Sequence, residues 1–172
     1  LTGYSGGGKS MIEKYEGENR DFLKLKAPMP YSLSLNHKHL PEIIKQCGLK
    51  NSPLFLPVVG DFYKGMLVTI PVYNKLLLKK LSSVEIHEFF SDYYKNKNFV
   101  NVMPFMGEGC LDGTFLDPTG ANDTNKLEIF VFGNDEQTLL ISRLDNLGKG
   151  SSGAAVQCMN IMLGLPEETG LI

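Results

Sequence analysis

The sequence predicts an α+β fold, with a mixed and largely antiparallel sheet that carries helices on one face. Residues 65–72 alternate apolar side chains, as a half-buried strand does. Residues 126–132 and 138–144 flank a polar turn that contains glycine and predict a β-hairpin. Residues 86–94 repeat apolar side chains at the spacing of an amphipathic helix that packs on a sheet.

The composition is that of an ordinary globular protein and excludes several classes of function. The chain has 172 residues, enough for one domain with its own core. Its formal net charge is −2 and it has no basic block, which argues against a nucleic-acid or membrane partner, because phosphate groups require a concentrated positive surface. Cys47, Cys110 and Cys158 are scattered and odd in number, so we expect a reducing cytoplasm and no disulfide framework. No metal site is expected.

A glycine-rich segment opens the chain. Gly3–Ser10 matches the phosphate-loop pattern G-x-x-x-x-G-K-[ST], a motif that needs a strand to feed the loop. Only Leu1 and Thr2 precede it, so we favour a flexible turn over residues 5–8 whose small side chains let the backbone approach a ligand or another domain. Because Leu1 starts inside an apparently functional loop, we expect the chain to be the C-terminal part of a longer protein.

Two histidines end the next predicted strand. Tyr31–His39 alternates strictly, which places His37 and His39 on the same, otherwise apolar face. Pro41 suits the first turn of a helix and Gly48 suits its left-handed cap. A helix N-terminus disfavours imidazolium, so a histidine beside it would stay neutral and could act as a base. The alternative is one surface histidine and one hydrogen-bonded structural histidine.

The middle of the chain continues as strands and a helix. Leu54–Val59 and Gly65–Val72 are β-rich, and Lys64 in the link between them could face an anionic substrate, although an exposed lysine is the default. Ser82-Ser-Val-Glu85 predicts a capping box. The helix that follows carries an aromatic stripe predicted to pack in the core: Ile86, Phe89, Phe90, Tyr93 and Tyr94.

The last predicted element is a helix that runs to about Leu163 from a start at Asp145. One face carries apolar side chains expected in the core: Ala155, Met159 and Met162. Another face carries glycines and amides: Gly153, Gln157, Asn160 and Gly164. Such a stripe suits close approach of a ligand or of a second domain, with amides as donors and acceptors, or packing between helices.

Three motifs lie in register along the chain: Gly3–Lys9, Asn36-His-Lys-His-Leu-Pro-Glu-Ile43 and Asp145–Asn160. Together they resemble the N-acetyl-γ-glutamyl-phosphate reductase family, which is related to aspartate-semialdehyde and glyceraldehyde-phosphate dehydrogenases. Leu56–Met66 resembles a further stretch of that family more loosely. The resemblance implies the C-terminal domain of the glyceraldehyde-phosphate-dehydrogenase-like fold, without the upstream Rossmann domain. It also implies a substrate-binding and dimerisation domain over residues 1–144, and a segment over residues 145–172 whose helix returns to the absent NADP-binding domain.

The chemistry implied by the resemblance is reduction of an acyl phosphate in arginine biosynthesis. A thiolate displaces phosphate from N-acetyl-γ-glutamyl phosphate, and hydride from the cofactor NADPH reduces the thioester to N-acetylglutamate 5-semialdehyde. None of the three cysteines lies in the family's nucleophile context, so the nucleophile is expected outside this chain and the chain alone is expected to be inactive. The implied partners are the small acyl phosphate, the missing N-terminal NADP-binding domain and further copies of the chain, as a dimer or tetramer.

The resemblance also implies roles for particular residues. His37 and His39 would be the general base or acid and a substrate-positioning partner, with His39 favoured for proton transfer because it lies closer to the helix start. Glu42 could orient an imidazole, and Tyr31 could line the substrate pocket. In the glycine-rich loop, Ser5 and Gly6 are expected to contact the substrate and the nicotinamide. Near the C-terminus, the residues expected to contact the cofactor or its domain are Asn146, Gln157 and Asn160. The alternatives are a P-loop NTPase fragment that uses Lys9 and Ser10, and a non-catalytic assembly module.

Overall fold

The computed structural model describes residues 1–171, and the chain divides into two compact units, Leu1–Phe62 and Tyr63–Ile172. Both units contain helices and both combine parallel with antiparallel strand pairs, which confirms the α+β class and the mixed sheet. The predicted division at residues 144 and 145 stays a prediction. Within the described residues, no helix has the length and apolar character that a bilayer crossing requires.

The first unit surrounds a small aromatic core. Its elements are β1 (Thr2–Gly3), α1 (Lys9–Glu16), α2 (Phe22–Leu25), β2 (Met29–Pro30), α3 (Leu40–Cys47) and β3 (Val58–Gly60). The central strand β3 pairs in parallel with β1 and antiparallel with β2. Tyr15, Leu25 and Val59 are buried together, and the Tyr15 ring stacks on Tyr4 at 4.8 Å between centroids.

The predicted strand over Tyr31–His39 is wrong. The ladder between β2 and β3 stops after Tyr31, whose N–H donates to the Pro57 carbonyl at 3.0 Å. Pro57 has no N–H to return, so the pairing cannot continue. Ser32 and Leu35 then take positive φ values of 55° and 57°, which turn the chain away from an extended path. The same missing donor limits the predicted strand over residues 54–59 to β3.

The second unit is built on four paired strands. Its elements are β4 (Met66–Tyr73), α4 (Ser83–Tyr93), β5 (Val100–Val102), β6 (Leu127–Gly133), β7 (Gln137–Leu144) and α5 (Gly153–Met162). Strand β7 lies between β4 and β6 in antiparallel pairs, and β5 adds in parallel to β6. The predicted hairpin is therefore confirmed, and the Asn134 side chain closes its turn by accepting from the N–H groups of Glu136 and Gln137.

Helix α4 begins as predicted but buries fewer of its aromatic side chains than the sequence predicts. The capping box is confirmed, because the Ser82 hydroxyl accepts from the Glu85 N–H and the Glu85 carboxylate accepts from the Ser82 N–H. Ile86 is buried in the unit. Phe89 and Tyr93 are 58% and 64% exposed, so the prediction that the whole stripe packs in the core is wrong. Only a narrow face of α4 is buried within the unit.

A buried ion pair links β6 to β7. The Arg143 guanidinium donates from Nε to the Glu128 carboxylate at 2.6 Å and from a terminal nitrogen to the Asp117 carbonyl at 3.0 Å. It also lies over the Phe130 ring at 5.1 Å. Both charged side chains are almost fully buried, so loss of either one would leave the charge of the other buried without its counter-charge.

We expect Glu128→Ala to destabilise the protein by about 3–5 kcal/mol, because it leaves the Arg143 charge buried without its carboxylate. Denaturant unfolding measures this loss as a lower midpoint. Glu136→Ala, at an exposed turn position, is the matched control and is expected to change the free energy of unfolding by less than about 0.5 kcal/mol. Equal stability of the two variants would contradict the assigned role of the pair.

Candidate functional site

The two histidines meet even though no strand carries them. Their ring centroids lie 4.7 Å apart, and the main-chain N–H of His39 donates to Nδ1 of His37 at 3.2 Å. The turn over residues 32–35 and the start of α3 place them there. The structure thus brings together the pair that the sequence predicted, by a different backbone path.

Aromatic side chains border His37. Its ring lies 5.0 Å from the Phe55 ring and 5.9 Å from the Tyr31 ring, between centroids. Burial, and then the neighbouring His39 and Lys38 charges, lower the pKa of His37, which favours a neutral imidazole at neutral pH. Burial also raises the pKa of Tyr31. Sequence reasoning missed Phe55, because its only signal is an aromatic residue between two prolines.

The start of α3 is as predicted, with Pro41 in its first turn and Gly48 in the left-handed conformation at its end. His39 occupies the N-cap position and its imidazole makes no capping hydrogen bond. Within the described part of the chain, the Glu42 carboxylate bonds neither imidazole, although Glu42 lies in the first helical turn. The orientation of His37 therefore comes from the main chain and the aromatic rings, and a catalytic role for Glu42 stays a prediction.

The glycine-rich segment forms a compact turn. The two residues of β1 lead into a 3-10 helix over Tyr4–Gly7, and Gly8, with φ of 74°, starts α1. Ser5 is buried and Gly6 is exposed. A short strand therefore does precede the loop, but the exposed Lys9 side chain points along α1 to Glu13 at 3.8 Å instead of folding over the turn. This geometry gives no support to a nucleotide phosphate loop.

In the second unit, a buried carboxylate organises the segment that follows β7. The Asp145 side chain is 3% exposed and accepts hydrogen bonds from the main-chain N–H groups of Asp123, Leu147 and Gly148. Lys64 pairs with this carboxylate at 3.5 Å and also with Asp123. Lys64 therefore has a role within the unit, and its side chain is 24% exposed instead of being the freely exposed lysine expected by default.

Asn146 is held beside this carboxylate. Its Oδ1 atom accepts from the Gly65 N–H at 2.8 Å, and the residue is buried. The interaction fixes the amide plane, so any nicotinamide contact by Asn146 would come from a preorganised side chain. That contact stays a prediction.

Helix α5 buries the opposite face from the one expected. Asn160 is 1% exposed and donates to the carbonyls of Glu167 and Thr169, while the Gln157 amide bonds Asn125, Lys149 and Glu167. These contacts engage both amides within the unit, and the cofactor-contact role of Gln157 and Asn160 stays a prediction. The side chains predicted as core are outside instead: Ala155 is exposed, Met159 is 49% exposed and Met162 is 86% exposed.

The predicted site residues are divided between the two units. Ser5, Gly6, Tyr31, Glu42 and the histidine pair belong to the first, and the three amide residues predicted near the cofactor belong to the second. Within the part of the chain that the structure describes, no group of three or more His, Cys, Asp or Glu side chains is placed to hold a metal ion.

Acid should weaken the second unit through Asp145. Burial alone raises the pKa of this carboxyl, but three N–H donors and the Lys64 charge outweigh it and hold the pKa below its ordinary value of 3.8. A lowered folded-state pKa contributes stability above the ordinary value, and that stability is lost as the pH falls through the folded-state value. We expect Asp145→Asn to cost about 3 kcal/mol at neutral pH and to flatten the fall in unfolding free energy below pH 4.

Denaturant unfolding at a series of pH values measures this effect, with Asp135→Asn in the exposed hairpin turn as the matched control. A variant and parent that lose stability in parallel on acidification would contradict the role of Asp145.

Comparison with known proteins identifies the family. The family described as semialdehyde dehydrogenase, dimerisation domain, matches residues 1–146. N-acetyl-gamma-glutamyl-phosphate reductase 2 from Nostoc sp. is 51% identical over 99% of this chain and 55% of its own length. The reductases of Trichormus variabilis and Chelativorans sp. are 50% and 42% identical, over 99% and 95% of this chain and 55% and 52% of their own lengths. The chain spans about half the length of these curated relatives, and it belongs to the semialdehyde dehydrogenase dimerisation-domain family.

Proposed function

We propose that this chain is the C-terminal part of an NADP-dependent N-acetyl-γ-glutamyl-phosphate reductase that works in the cytoplasm on the arginine biosynthesis route. The observation that carries the proposal is the His37–His39 pair at the start of α3, with ring centroids 4.7 Å apart. Relatives at up to 51% identity that bear the reductase name support it. The reaction converts N-acetyl-γ-glutamyl phosphate to N-acetylglutamate 5-semialdehyde and phosphate.

The role of the pair is proton transfer and orientation of the substrate. A cysteine thiol must lose a proton before it attacks the acyl phosphate. The oxygen of the later hemithioacetal must be stabilised and must receive a proton. A neutral imidazole next to a hydrogen-bond donor serves both needs. His37 and His39 supply two such groups within one short segment, and Tyr31 borders them as an expected wall of the substrate pocket.

The nucleophilic cysteine and the nucleotide-binding domain belong to the half of the relatives that this chain does not span. NADPH, when bound, supplies the hydride that reduces the thioester. In the first unit, the exposed backbone at Gly6 is compatible with a contact to its nicotinamide end, and Ser5 is buried in the same turn. In the second unit, the fixed amide of Asn146 is a separate candidate for such a contact. Gln157 and Asn160 brace the C-terminal segment.

We expect the double variant His37→Ala/His39→Ala to lose about 10²–10⁴-fold in kcat, as acid–base groups usually contribute. The assay is NADPH oxidation by the enzyme formed when this chain is joined to its nucleotide-binding half. Lys45→Ala, an exposed change on α3, is the matched control and should retain activity. Full activity of the double variant in a folded protein would remove the pair from the mechanism.

We also propose that the protein works as a homo-oligomer, a dimer or a tetramer. The match to a dimerisation domain supports this, and β4 lies inside the matched residues. Val68 and Ile70 lie on one face of that strand and are large apolar side chains left 41% and 51% exposed. Apolar surface of this kind is stabilised when a second subunit covers it.

Sedimentation should therefore show an oligomer, and Ile70→Lys should shift it toward the monomer by placing a charge in the covered surface. Val84→Lys, on an equally exposed position of α4, is the matched control and should leave the oligomer intact. A monomeric parent protein at micromolar concentration would refute the proposal.

A further inference from the structure

Three contacts define the state of the His37 ring. The His39 main-chain N–H donates to Nδ1 at 3.2 Å, and the Phe55 ring lies 5.0 Å away with its plane tilted by 58°. The Tyr31 ring meets the imidazole edge to face at 5.9 Å. His37 is the most buried residue of the segment 36–39, although it lies between turn residues. An imidazole held on several sides in this way has a restricted choice of orientation and of proton position.

The hydrogen bond identifies the tautomer. A neutral imidazole has one nitrogen that carries hydrogen and one that accepts. Because Nδ1 accepts from His39, the proton of neutral His37 lies on Nε2. Protonation of Nδ1 would set one N–H against another and lose the hydrogen bond, so this contact opposes the imidazolium form.

We propose that Phe55 is a positioning residue that, together with the His39 main-chain N–H, holds His37 as a neutral imidazole with its proton on Nε2. In catalysis His37 would then donate a hydrogen bond to the substrate oxygen, and His39 would be the base. This division of roles rests on the proposed function, whereas the tautomer is a property of the chain itself.

The surrounding charges act in the same direction. Burial disfavours a positive charge on the His37 ring and lowers its pKa, and the charges of His39 and Lys38, which follow it in sequence, act in the same direction. Tyr31 faces the ring as a neutral phenol, and Glu42, in the first turn of α3, makes no bond to it among the described residues. His39 differs from His37 because its imidazole is exposed and makes no capping hydrogen bond, which leaves it accessible to a substrate.

The first experiment reads the tautomer directly. Long-range ¹H–¹⁵N correlation spectra of the 172-residue chain, labelled at histidine, distinguish a protonated from an unprotonated ring nitrogen. Above its titration midpoint His37 should show a single form with Nε2 protonated, and the midpoint should lie below that of a free histidine side chain. A mixture of tautomers, or an ordinary midpoint, would overturn the proposal.

Substitution then tests Phe55. We expect Phe55→Ala to raise the His37 midpoint and to mix the tautomers, and Phe55→Leu, which retains apolar volume and so protects the fold, to do the same more weakly. Phe55→Tyr keeps the ring and should restore the parent spectrum. Leu54→Ala, at the neighbouring and 82% exposed position, is the matched control and should change neither observable. Unchanged His37 signals in both Phe55→Ala and Phe55→Leu would refute the role of Phe55.

Kinetics separate this inference from the proposed function. In the joined enzyme, Phe55→Leu should lower kcat about 10-fold with little change in KM, as expected for a displaced catalytic group, and should move the acid limb of the pH–rate profile to higher pH. If the joined enzyme has no reductase activity, the proposed function fails while the spectra still decide the tautomer. If the enzyme is active but Phe55→Leu leaves both kcat and the acid limb unchanged, the positioning role fails alone.

Discussion

The absence of one main-chain donor determines the shape of the histidine segment. Pro57 lies opposite Tyr31 and accepts a hydrogen bond but cannot return one. The ladder between β2 and β3 ends there, and the chain turns through Ser32 and Leu35 instead of extending to His39. That turn allows the two imidazoles to meet, and Phe55, from the segment that precedes β3, lies beside His37. A longer ladder would have kept the histidines on a regular strand, two residues apart and without the bond between main chain and ring.

In the second unit, the local chain path depends on one carboxylate that accepts several main-chain hydrogen bonds. The Asp145 carboxylate accepts hydrogen bonds from three main-chain N–H groups and forms an ion pair with Lys64. These contacts fix the chain between β7 and α5. Asn146 is oriented beside it through the Gly65 N–H. Electrostatic preorganisation of this kind is how a buried polar cluster can hold a neighbouring side chain in one geometry.

Helix α5 shows how a polar stripe can be structural. Gly153 approaches Asn125 closely and leaves no room for a side chain, because a Cβ at residue 153 would clash with Oδ1 of Asn125 and would lie 2.9 Å from the main-chain oxygen of Gly148. The amides of Gln157 and Asn160 then brace the C-terminal segment. The glycine–amide pattern thus indicated close approach correctly, but the surface approached belongs to the same unit. The apolar face is left outside, with Met162 almost fully exposed.

Features that depend on residues close together in the chain could be predicted from the amino-acid sequence alone. Capping residues marked α3 and α4, alternation and turn residues marked the β6–β7 hairpin, and motif spacing indicated the family, because each of these signals depends on residues close in the chain. Tertiary structure decided the rest. Three features depend on partners that are distant in sequence: the end of the β2–β3 ladder, the buried face of α5 and the contact between Phe55 and His37. Periodicity carries no information about such partners.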